Sequence, residues 1–255
     1  MMRRNFLIIF LVFFTTACAT QFNPYTGREE LVFMSDEEEI KIGKALAKQV
    51  EDRFNVAEDY LLQTRVNELG QRIVEACDRK SIIYYFKVLD KDEKNAFALP
   101  GGYVYVFKGL LEEVSNDNEL AYILAHEISH IVARHSVDLL KKNLGFNILM
   151  TLAKAGAADS ETLRRTSVAL DLLMLSYSRE DELMADRLAV RFMQKAGFSP
   201  EGAISFLEKF KEIKRKEPIR PLYGRTHPYI NERIRAVREE IYGKITFEDY
   251  MNVSQ

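Results

Sequence analysis

The sequence predicts an α+β fold that is mainly helical and carries one small antiparallel sheet. Apolar residues recur at helical spacing in several long segments, which is typical of amphipathic helices. Two segments, 82–89 and 95–107, are instead rich in β-branched and aromatic residues, and the second contains a Pro-Gly-Gly turn. The chain has 255 residues, of which 47% are hydrophobic. That length and apolar content suit one domain with a sizeable core.

The charge balance gives no indication of a nucleic-acid partner. Lysine and arginine together number 36, aspartate and glutamate 38, and the formal net charge is −2. A nucleic-acid-binding domain usually carries an excess of basic residues on one face. We therefore expect no nucleic acid among the partners of this chain.

Residues 1–17 have the three features of a secretory signal peptide. Arg3 and Arg4 supply a positively charged start, and the apolar run 6–14 follows them. Small residues then lead up to Cys18, as at a cleavage site. The apolar run is too short for a comfortable membrane span. We therefore expect residues 1–17 to be removed after export.

Cys18 is a candidate lipidation site. It follows Thr-Thr-Ala, which resembles the lipobox of bacterial lipoproteins, although Thr15 stands where that pattern usually has leucine. Ala19, rather than an aspartate, follows the cysteine and resembles the sorting pattern for the outer membrane. Residues 18–34 would then be a lipid-anchored tether, on the periplasmic side of the envelope of a Gram-negative bacterium. The alternative is an ordinary cleaved signal peptide with an incidental cysteine.

Residues 35–255 are expected to form the folded domain, which begins with two amphipathic helices. Ser35 and Glu38 make a capping-box pattern at the start of the first helix. Apolar residues at helical spacing continue that helix to about Phe54, and a second helix is predicted over residues 58–77. Both helices would bury one apolar face against the rest of the domain.

A strand over residues 82–89 is followed by a predicted hairpin. Asn95–Leu99 and Tyr103–Phe107 flank the Pro-Gly-Gly turn, and strand, turn and strand together form a hairpin signature. Pro100 has no backbone N–H to donate to a neighbouring strand. We therefore place Asn95–Leu99 at the edge of the sheet.

The second half of the chain is predicted to be helical. Asn116 with Glu119 would cap one helix, residues 160–195 are predicted as one long helix, and a final helix would begin at His227. The short apolar stretch 145–157 is compatible with a lid, a membrane-surface contact or a core element, and the sequence leaves these open.

The helix capped by Asn116 contains the sequence His126-Glu127-Ile128-Ser129-His130. Two histidines four residues apart lie on one face of a helix, so both imidazoles can reach one metal ion. The surrounding residues are mostly apolar, where bare imidazoles would be costly but metal ligands would be satisfied. The motif therefore predicts a zinc site in which His126 and His130 are ligands. Glu127 would be the general base that accepts a proton from water and passes it to the leaving amine.

The third protein ligand is not apparent in the immediate continuation of this motif. A catalytic zinc usually takes three protein ligands and leaves one position open. In one common continuation, a glycine and a histidine follow the second motif histidine by three and six residues, but here those positions are Ala133 and Ser136. His135 would project from a different face of a continued helix. A carboxylate on a second helix is the usual alternative.

Residues 178–186 contain the candidate carboxylates. Glu182 shares a helical face with mostly small or apolar residues, whereas Glu180 shares its face with a serine and arginines. We therefore expect Glu182 to be the third ligand. Asp186 lies one turn further along the same face, where it could accept a hydrogen bond from a metal-bound histidine.

Several motifs together resemble one family, the HtpX-like and CAAX-prenyl-protease-type zinc metalloendopeptidases. The similarity is greatest to its bacterial lipoprotein and periplasmic members, which are BepA/LoiP-like. Besides the histidine motif, the stretches that carry this resemblance are Asn23-Pro24-x-Thr26-Gly27-Arg28, Asn95 to Gly102, Ser178-Arg179-x-x-Glu182-x-x-Ala185-Asp186, and Thr226-His227-Pro228 with Arg233.

The resemblance implies a zincin (gluzincin-like) domain with one Zn²⁺ per chain and an edge strand that faces the active-site cleft. An extended peptide could add to that edge as a further strand. The candidate substrate-binding residues are Asn95, Ala96, Phe97 and Ala98. The alternative is a hairpin that only covers the core.

The resemblance also implies protein or peptide substrates in the cell envelope. Their hydrolysis would serve protein quality control or outer-membrane protein assembly, with the outer-membrane assembly machinery as a candidate partner. The alternative function is a non-proteolytic assembly factor or chaperone that uses the same cleft.

For two candidate catalytic residues, Asp186 and His227, more than one role remains open. The family sometimes uses the counterpart of Asp186 as a proton donor, whereas we favour an acceptor for a ligand histidine. His227, with Arg233 nearby, could donate a hydrogen bond to the oxyanion. It could instead be a fourth zinc ligand that keeps the enzyme latent, as proposed for BepA-like members, or only a helix-capping histidine. We favour latency, because a lipid-anchored protease among folded envelope proteins needs restraint.

Overall fold

The computed structural model describes residues 20–23, 27–31, 33–154, 160–175, 177–216 and 226–244. The strands in these residues are β1 (Thr20–Asn23), β2 (Arg28–Leu31), β3 (Tyr85–Leu89), β4 (Ala96–Leu99) and β5 (Tyr103–Phe107). The helices are α1 (Asp36–Arg53), α2 (Tyr60–Ala76), α3 (Lys108–Leu111), α4 (Asp117–Val132), α5 (His135–Leu144), α6 (Phe146–Lys154), α7 (Ser160–Leu173), α8 (Arg179–Lys195), α9 (Glu201–Lys216) and α10 (Ile230–Tyr242). Residues 1–17 and Cys18, to which the signal-peptide and lipidation predictions refer, lie outside the described residues.

The sheet formed by β3, β4 and β5 is mixed, so the prediction of an antiparallel sheet was wrong for one of its two pairings. Its strand order is β3-β5-β4. β4 pairs with β5 antiparallel, as the hairpin requires, whereas β3 pairs with β5 parallel. Because β4 reverses the chain between β3 and β5, those two strands run the same way when they become neighbours. Sequence order alone did not reveal that β5 would lie in the centre.

β4 lies at the edge of this sheet, as predicted from Pro100. The turn Pro100–Gly102 joins it to β5, and Gly101 adopts a left-handed backbone with φ 74°. A Cβ atom at Gly101 would lie 2.8 Å from Cα of Ile40 on α1, so only glycine fits there. The turn therefore packs directly against α1.

The sheet separates two apolar cores. Alternate residues along β4 and β5 point to opposite faces. The face that includes Ala98 and Val104 packs with α2, α4, α8 and α9, and the face that includes Phe97 and Tyr105 packs with α1, α6 and α7. α4 lies at the centre of the first core, because every residue from Glu119 to Val132 is buried.

The prediction of one helix over residues 160–195 was wrong. α7 ends at Leu173, and α8 begins at Arg179. Ser178 is the N-cap of α8, with an extended backbone, and its side chain accepts a hydrogen bond from the N–H of Asp181. A serine N-cap satisfies the first N–H groups of a new helix, which favours a start at this point. α7 and α8 are therefore separate helices, and α8 packs against α4.

The helix starts at Ser35 and Asn116 follow local sequence, as predicted. Ser35 caps α1 through both hydrogen bonds of a capping box. Asn116 caps α4 by accepting from the N–H groups of Asn118 and Glu119. The Glu119 carboxylate accepts from the N–H of Ser115 rather than from that of Asn116.

The last helix begins later than predicted. α10 starts at Ile230, after Tyr229 adopts a left-handed backbone with φ 63°. His227 therefore lies in non-helical backbone before α10. A side chain in that position is not constrained to a helix face.

The apolar stretch 145–157 contains α6. Leu149, Leu152 and Ala153 are buried in the second core, whereas Phe146 is 42% exposed. α6 is therefore a core element on one face. Within the described parts of the chain, no helix combines the length and apolar character that a bilayer crossing requires.

Candidate metal centre

Four side chains converge between α4, α8 and the residues before α10. They are His126, His130, Glu182 and His227, and one potential ligand atom from each lies within 4.8 Å of the others. All four residues are buried. α4 supplies both motif histidines because residues four apart face the same way. α8 packs against α4 and brings Glu182 to that face.

The spacing of the four ligand atoms fits a tetrahedral metal ion. Zinc bonds of about 2.0–2.1 Å to nitrogen or oxygen place tetrahedral ligand atoms about 3.3 Å apart. Nε2 of His126 lies 3.1 Å from Nε2 of His130 and 3.2 Å from Nδ1 of His227. Oε1 of Glu182 lies 3.0 Å from Nδ1 of His227 and 3.5 Å from Nε2 of His130. Imidazole nitrogens and carboxylate oxygens are also common zinc ligands.

Glu180 and Glu182, the two candidates for the third ligand, differ in solvent exposure. Glu182 is 0% exposed and belongs to the converging set. Glu180, in the first turn of α8, is exposed. The inward face expected from the apolar neighbours of Glu182 is therefore the face that packs against α4.

Glu127 is buried beside the converging ligand atoms. Its Oε1 lies 3.3 Å from Nε2 of His227. Neither carboxylate oxygen has a hydrogen-bond donor among the residues that the structure describes. Burial raises the pKa of Glu127 above its usual value, although the nearby His227 and His126 oppose this shift. A carboxylate with few donors and a raised pKa is suited to accept a proton.

Asp186 lies behind His126. Its Oδ1 is 2.9 Å from Nδ1 of His126 and accepts a hydrogen bond of 2.7 Å from the hydroxyl of Tyr122. Arg233 donates to both carboxylate oxygens over 2.8 Å. Burial opposes ionisation, but Arg233 and the hydrogen bonds hold the pKa of Asp186 well below its usual value. An ionised Asp186 orients Nδ1–H of His126 and leaves Nε2 directed toward the ligand atoms.

Arg233 is a buried cation that connects two carboxylates of the centre. Besides its bonds to Asp186, its Nη1 lies 3.1 Å from Oε2 of Glu182. Burial raises the pKa of Glu182, but electrostatic attraction to the neighbouring His227 and Arg233, together with hydrogen bonds from His126 and His130, outweighs burial and lowers that pKa well below its usual value. Sequence analysis had placed Arg233 near His227, and its Nη1 donates to the carbonyl of His227 over 3.4 Å. The guanidinium thus contacts two carboxylates behind the ligand atoms and the backbone of His227.

The two motif histidines have opposite pKa shifts. Burial and Arg233 lower the pKa of His126, but hydrogen bonds to Asp186 and Glu182 outweigh them and raise it to about 9. Burial lowers the pKa of His130 well below its usual value. A metal cation would therefore displace a proton from His126 and take over the attraction of the same carboxylates.

His135 contacts His130, so the expectation that it projects elsewhere was wrong. α4 ends at Val132, and Arg134 adopts a left-handed backbone with φ 58° before α5 begins. This turn brings Nδ1 of His135 to 2.9 Å from Nδ1 of His130. Burial lowers the pKa of His135 to about 4, so its imidazole is neutral at neutral pH. His135 is not one of the four converging residues.

The predicted substrate-binding residues lie on β4 or directly before it. Oδ1 of Asn95 accepts a hydrogen bond of 3.1 Å from the hydroxyl of Thr226, the residue before His227. Ser136 donates to the carbonyl of Ala98 over 3.3 Å, so that carbonyl points away from β5. By alternation along the strand, the backbone of Ala96 also points away from β5. All four residues of β4 are buried.

Tyr122 and Tyr177 are residues of the centre that sequence analysis missed. Tyr122 precedes His126 by four residues, and this helical spacing could have revealed that it lies on the same face. Tyr177 stacks on His130 with ring centroids 4.0 Å apart. It lies in the non-helical backbone before Ser178, where no periodic pattern indicates direction.

Three comparisons connect this geometry to known proteins. The beta-barrel assembly-enhancing protease of Escherichia coli (strain K12) is 31% identical over 229 residues, which cover 84% of this chain and 46% of that protein. The mitochondrial metalloendopeptidase OMA1 of Schizosaccharomyces pombe is 31% identical over 174 residues, which cover 68% and 51%. The OMA1 protein of Saccharomyces cerevisiae is 28% identical over 236 residues, which cover 83% and 66%. This chain thus spans about half the length of the first two relatives.

The profile of Peptidase family M48 matches residues 61–241. This region includes α4 and α8 completely, together with His227, and therefore contains all four converging side chains. It is also well over half of the 255 residues. The chain therefore belongs to peptidase family M48.

Proposed function

We propose that this chain is a zinc-dependent metalloendopeptidase that hydrolyses peptide bonds of envelope proteins. The observation that carries the proposal is the buried convergence of His126, His130 and Glu182, with Glu127 beside them. These three ligands would hold one Zn²⁺ per chain, which supplies Lewis-acid polarisation of a peptide carbonyl and lowers the pKa of a water molecule to about 7. Membership of a peptidase family supports the same activity.

Glu127 would be the general base. Its carboxylate is buried, has a raised pKa and lacks hydrogen-bond donors in the described part of the chain. It would take a proton from the attacking water and pass it to the leaving amine. Asp186 would hold His126 in place rather than donate a proton, because Arg233 keeps its carboxylate ionised.

His227 would be a fourth ligand that keeps the enzyme latent. In support, its Nδ1 lies as close to Nε2 of His126 (3.2 Å) as that atom lies to Nε2 of His130 (3.1 Å). A catalytic zinc needs one open position, and a fourth protein ligand would fill it. Because His227 lies in non-helical backbone before α10, its side chain is not fixed to a helix face and could leave the metal.

β4 would bind an extended substrate as an additional strand. Its edge position and the outward backbone of Ala96 and Ala98 support this role. Both side chains are small, so a peptide could approach closely. Because β4 is buried, such a peptide would first have to displace the groups that cover this edge. It would replace the hydrogen bond that Ser136 makes with the carbonyl of Ala98, and would pass near Asn95.

The enzyme would act in the cell envelope of a Gram-negative bacterium, facing the periplasm and anchored to the outer membrane by a lipid on Cys18. The lipobox-like sequence supports the anchor. Relatives named for beta-barrel assembly support a role in outer-membrane protein assembly or quality control, with the assembly machinery as partner. Misassembled envelope proteins would be the substrates.

A Glu127→Gln substitution tests the proposed activity. Zinc content and casein cleavage would be measured on protein that lacks residues 1–18. We expect about one zinc per chain in both forms, and a loss of cleavage on the order of 10²-fold or more in the variant. Glu180→Gln is the matched control on exposed surface and should change neither quantity. Zinc-loaded protein that cleaves no casein, both as wild type and with His227→Ala to relieve the proposed latency, would indicate the non-proteolytic assembly factor instead.

A further inference from the structure

Both ring nitrogens of His130 have a neighbour. Nε2 is among the converging ligand atoms, 3.1 Å from Nε2 of His126. Nδ1, on the opposite side of the ring, is 2.9 Å from Nδ1 of His135. His126 uses the carboxylate of Asp186 at the corresponding place. Nδ1 of His130 therefore faces the imidazole of His135, whereas Nδ1 of His126 faces the carboxylate of Asp186.

The positions of the ring protons assign the tautomers of His130 and His135. With Nε2 of His130 as a metal ligand, its lone pair would be used by the metal, and the one proton of the neutral ring would be on Nδ1. A hydrogen bond between two Nδ1 atoms needs one donor and one acceptor, so Nδ1 of His135 carries the lone pair. The proton of His135 is then on Nε2, which lies 3.7 Å from Oδ1 of Asp181. A carboxylate on that side favours the same tautomer by its charge.

Several contacts hold His135 in this position. Arg134 makes the left-handed turn before it, and its guanidinium donates to the carbonyl of Met34 over 2.9 Å. Ser136, the next residue, is 2.9 Å from the hydroxyl of Tyr177, oxygen to oxygen. The ring of Tyr177 stacks on His130. The imidazole of His130 therefore lies between a stacked ring and a hydrogen-bonded one.

We propose that His135 is a positioning residue for the metal centre. The lone pair of its Nδ1 accepts the Nδ1–H bond of His130 and so fixes the tautomer and ring orientation in which Nε2 of His130 would bind zinc. Partners of this kind raise the basicity of a ligand and reduce the freedom that it loses on binding metal. The inference rests on the proposed zinc site, but not on which substrate is cleaved.

Two nearly isosteric substitutions test this role. Oδ1 of the asparagine in His135→Asn stands close to the place of Nδ1 and can accept the same hydrogen bond. His135→Leu has a side chain of similar shape without an acceptor. Zinc dissociation constants of the full chain would be measured by competition with a chelator. We expect the leucine variant to bind zinc about 10–100-fold more weakly, and the asparagine variant to recover most of that loss.

A control separates positioning from folding. Thr166→Val, on α7, also removes a buried hydrogen bond, that from the Thr166 hydroxyl to the carbonyl of Thr162. Its zinc affinity should equal that of wild type even where its thermal stability falls to that of His135→Leu. The chain has only 4 histidines, so ¹⁵N spectra of the zinc-loaded protein can assign each ring, and His135 should be neutral with its proton on Nε2.

The results distinguish this inference from the proposed function. Equal zinc affinity of wild type and His135→Leu, equal losses in the leucine and asparagine variants, or a proton on Nδ1 of His135 would each overturn the positioning role. Zinc-loaded protein without peptidase activity, both as wild type and with His227→Ala, would overturn the proposed function and leave the positioning role standing.

Discussion

Nδ1 of His126 lies 2.9 Å from Oδ1 of Asp186, a residue one helical turn beyond Glu182 on α8. A single helix face thus presents one carboxylate to the converging ligand atoms and another to the back of a ligand histidine. Arg233 contacts both carboxylates and connects α8 with α10. The centre is consequently assembled by three helices that are far apart in sequence.

Asp186→Asn should weaken metal binding. The amide keeps the size of the side chain but loses the charge that orients Nδ1–H of His126, and it leaves Arg233 without its ionic partner. We expect zinc affinity to fall about 10–100-fold, as when other residues that accept a hydrogen bond from a metal-bound histidine are replaced. Chelator competition measures this, with Asp171→Asn on exposed α7 surface as the control. Unchanged zinc affinity together with lost cleavage would favour a proton-donor role for Asp186.

Glu182→Gln and Glu180→Gln should differ in metal content. Glu182 is buried among the ligand atoms, whereas Glu180 is exposed. A neutral amide is a poor zinc ligand, so we expect the first variant to lose stoichiometric zinc and the second to retain it. Metal analysis after dialysis decides. Retention in the first and loss in the second would refute the ligand assignment.

His227→Ala distinguishes latency from transition-state stabilisation. Removal of a fourth ligand opens the coordination position that water needs, so we expect basal peptide turnover to rise at matched zinc content. Loss of an oxyanion donor would instead lower turnover on the order of 10²-fold. Unchanged turnover would remove both roles and leave a structural histidine.

Glu119→Gln should destabilise the fold in a pH-dependent way. The buried Glu119 carboxylate accepts hydrogen bonds from Lys209, Ser205 and the N–H of Ser115, and this ties the start of α4 to α9. Burial opposes ionisation, but these bonds lower the pKa of Glu119 below its ordinary value of 4.5. The ionised group therefore stabilises the protein fully above about pH 4.5, and the stabilisation is lost as the pH falls through the folded pKa.

We expect the free energy of unfolding of Glu119→Gln to be about 1.5–3 kcal/mol lower at pH 7, with a difference that shrinks in acid. Urea titrations at pH 7 and pH 4 measure this. Glu208→Gln, which breaks an exposed pair with Arg238, should cost less than about 0.5 kcal/mol. A cost that is the same at both pH values would contradict the electrostatic explanation.

Cys18→Ser should release the protein from the membrane. Several acyl chains on a lipoprotein cysteine, as proposed for Cys18, anchor a protein stably. We expect the variant in the soluble fraction after a salt wash, and the wild type in the membrane fraction. A variant that stays in the membrane fraction would show that the lipid is not the anchor.

Features that depend on a few neighbouring residues were determined by the sequence itself. The capping of α1 by Ser35 and the hairpin around Pro100 involve residues within one turn of each other. The common face of His126 and His130 is a property of any α-helix. The apolar neighbours of Glu182 likewise indicated that it faces inward, because a helix must bury its apolar stripe.

Only the tertiary structure decided which separate elements meet. The parallel pairing of β3 with β5, the break before Ser178, and the approach of Arg233 and His227 to α4 all depend on contacts between distant segments. His135 shows the reason most clearly. Helical periodicity directs it away from His130, but one left-handed residue, Arg134, turns the chain and brings the two rings together. The residues around Arg134 do not predict that turn. The Arg134 side chain is held by contacts with a segment 100 residues away in sequence, where it donates to the carbonyl of Met34.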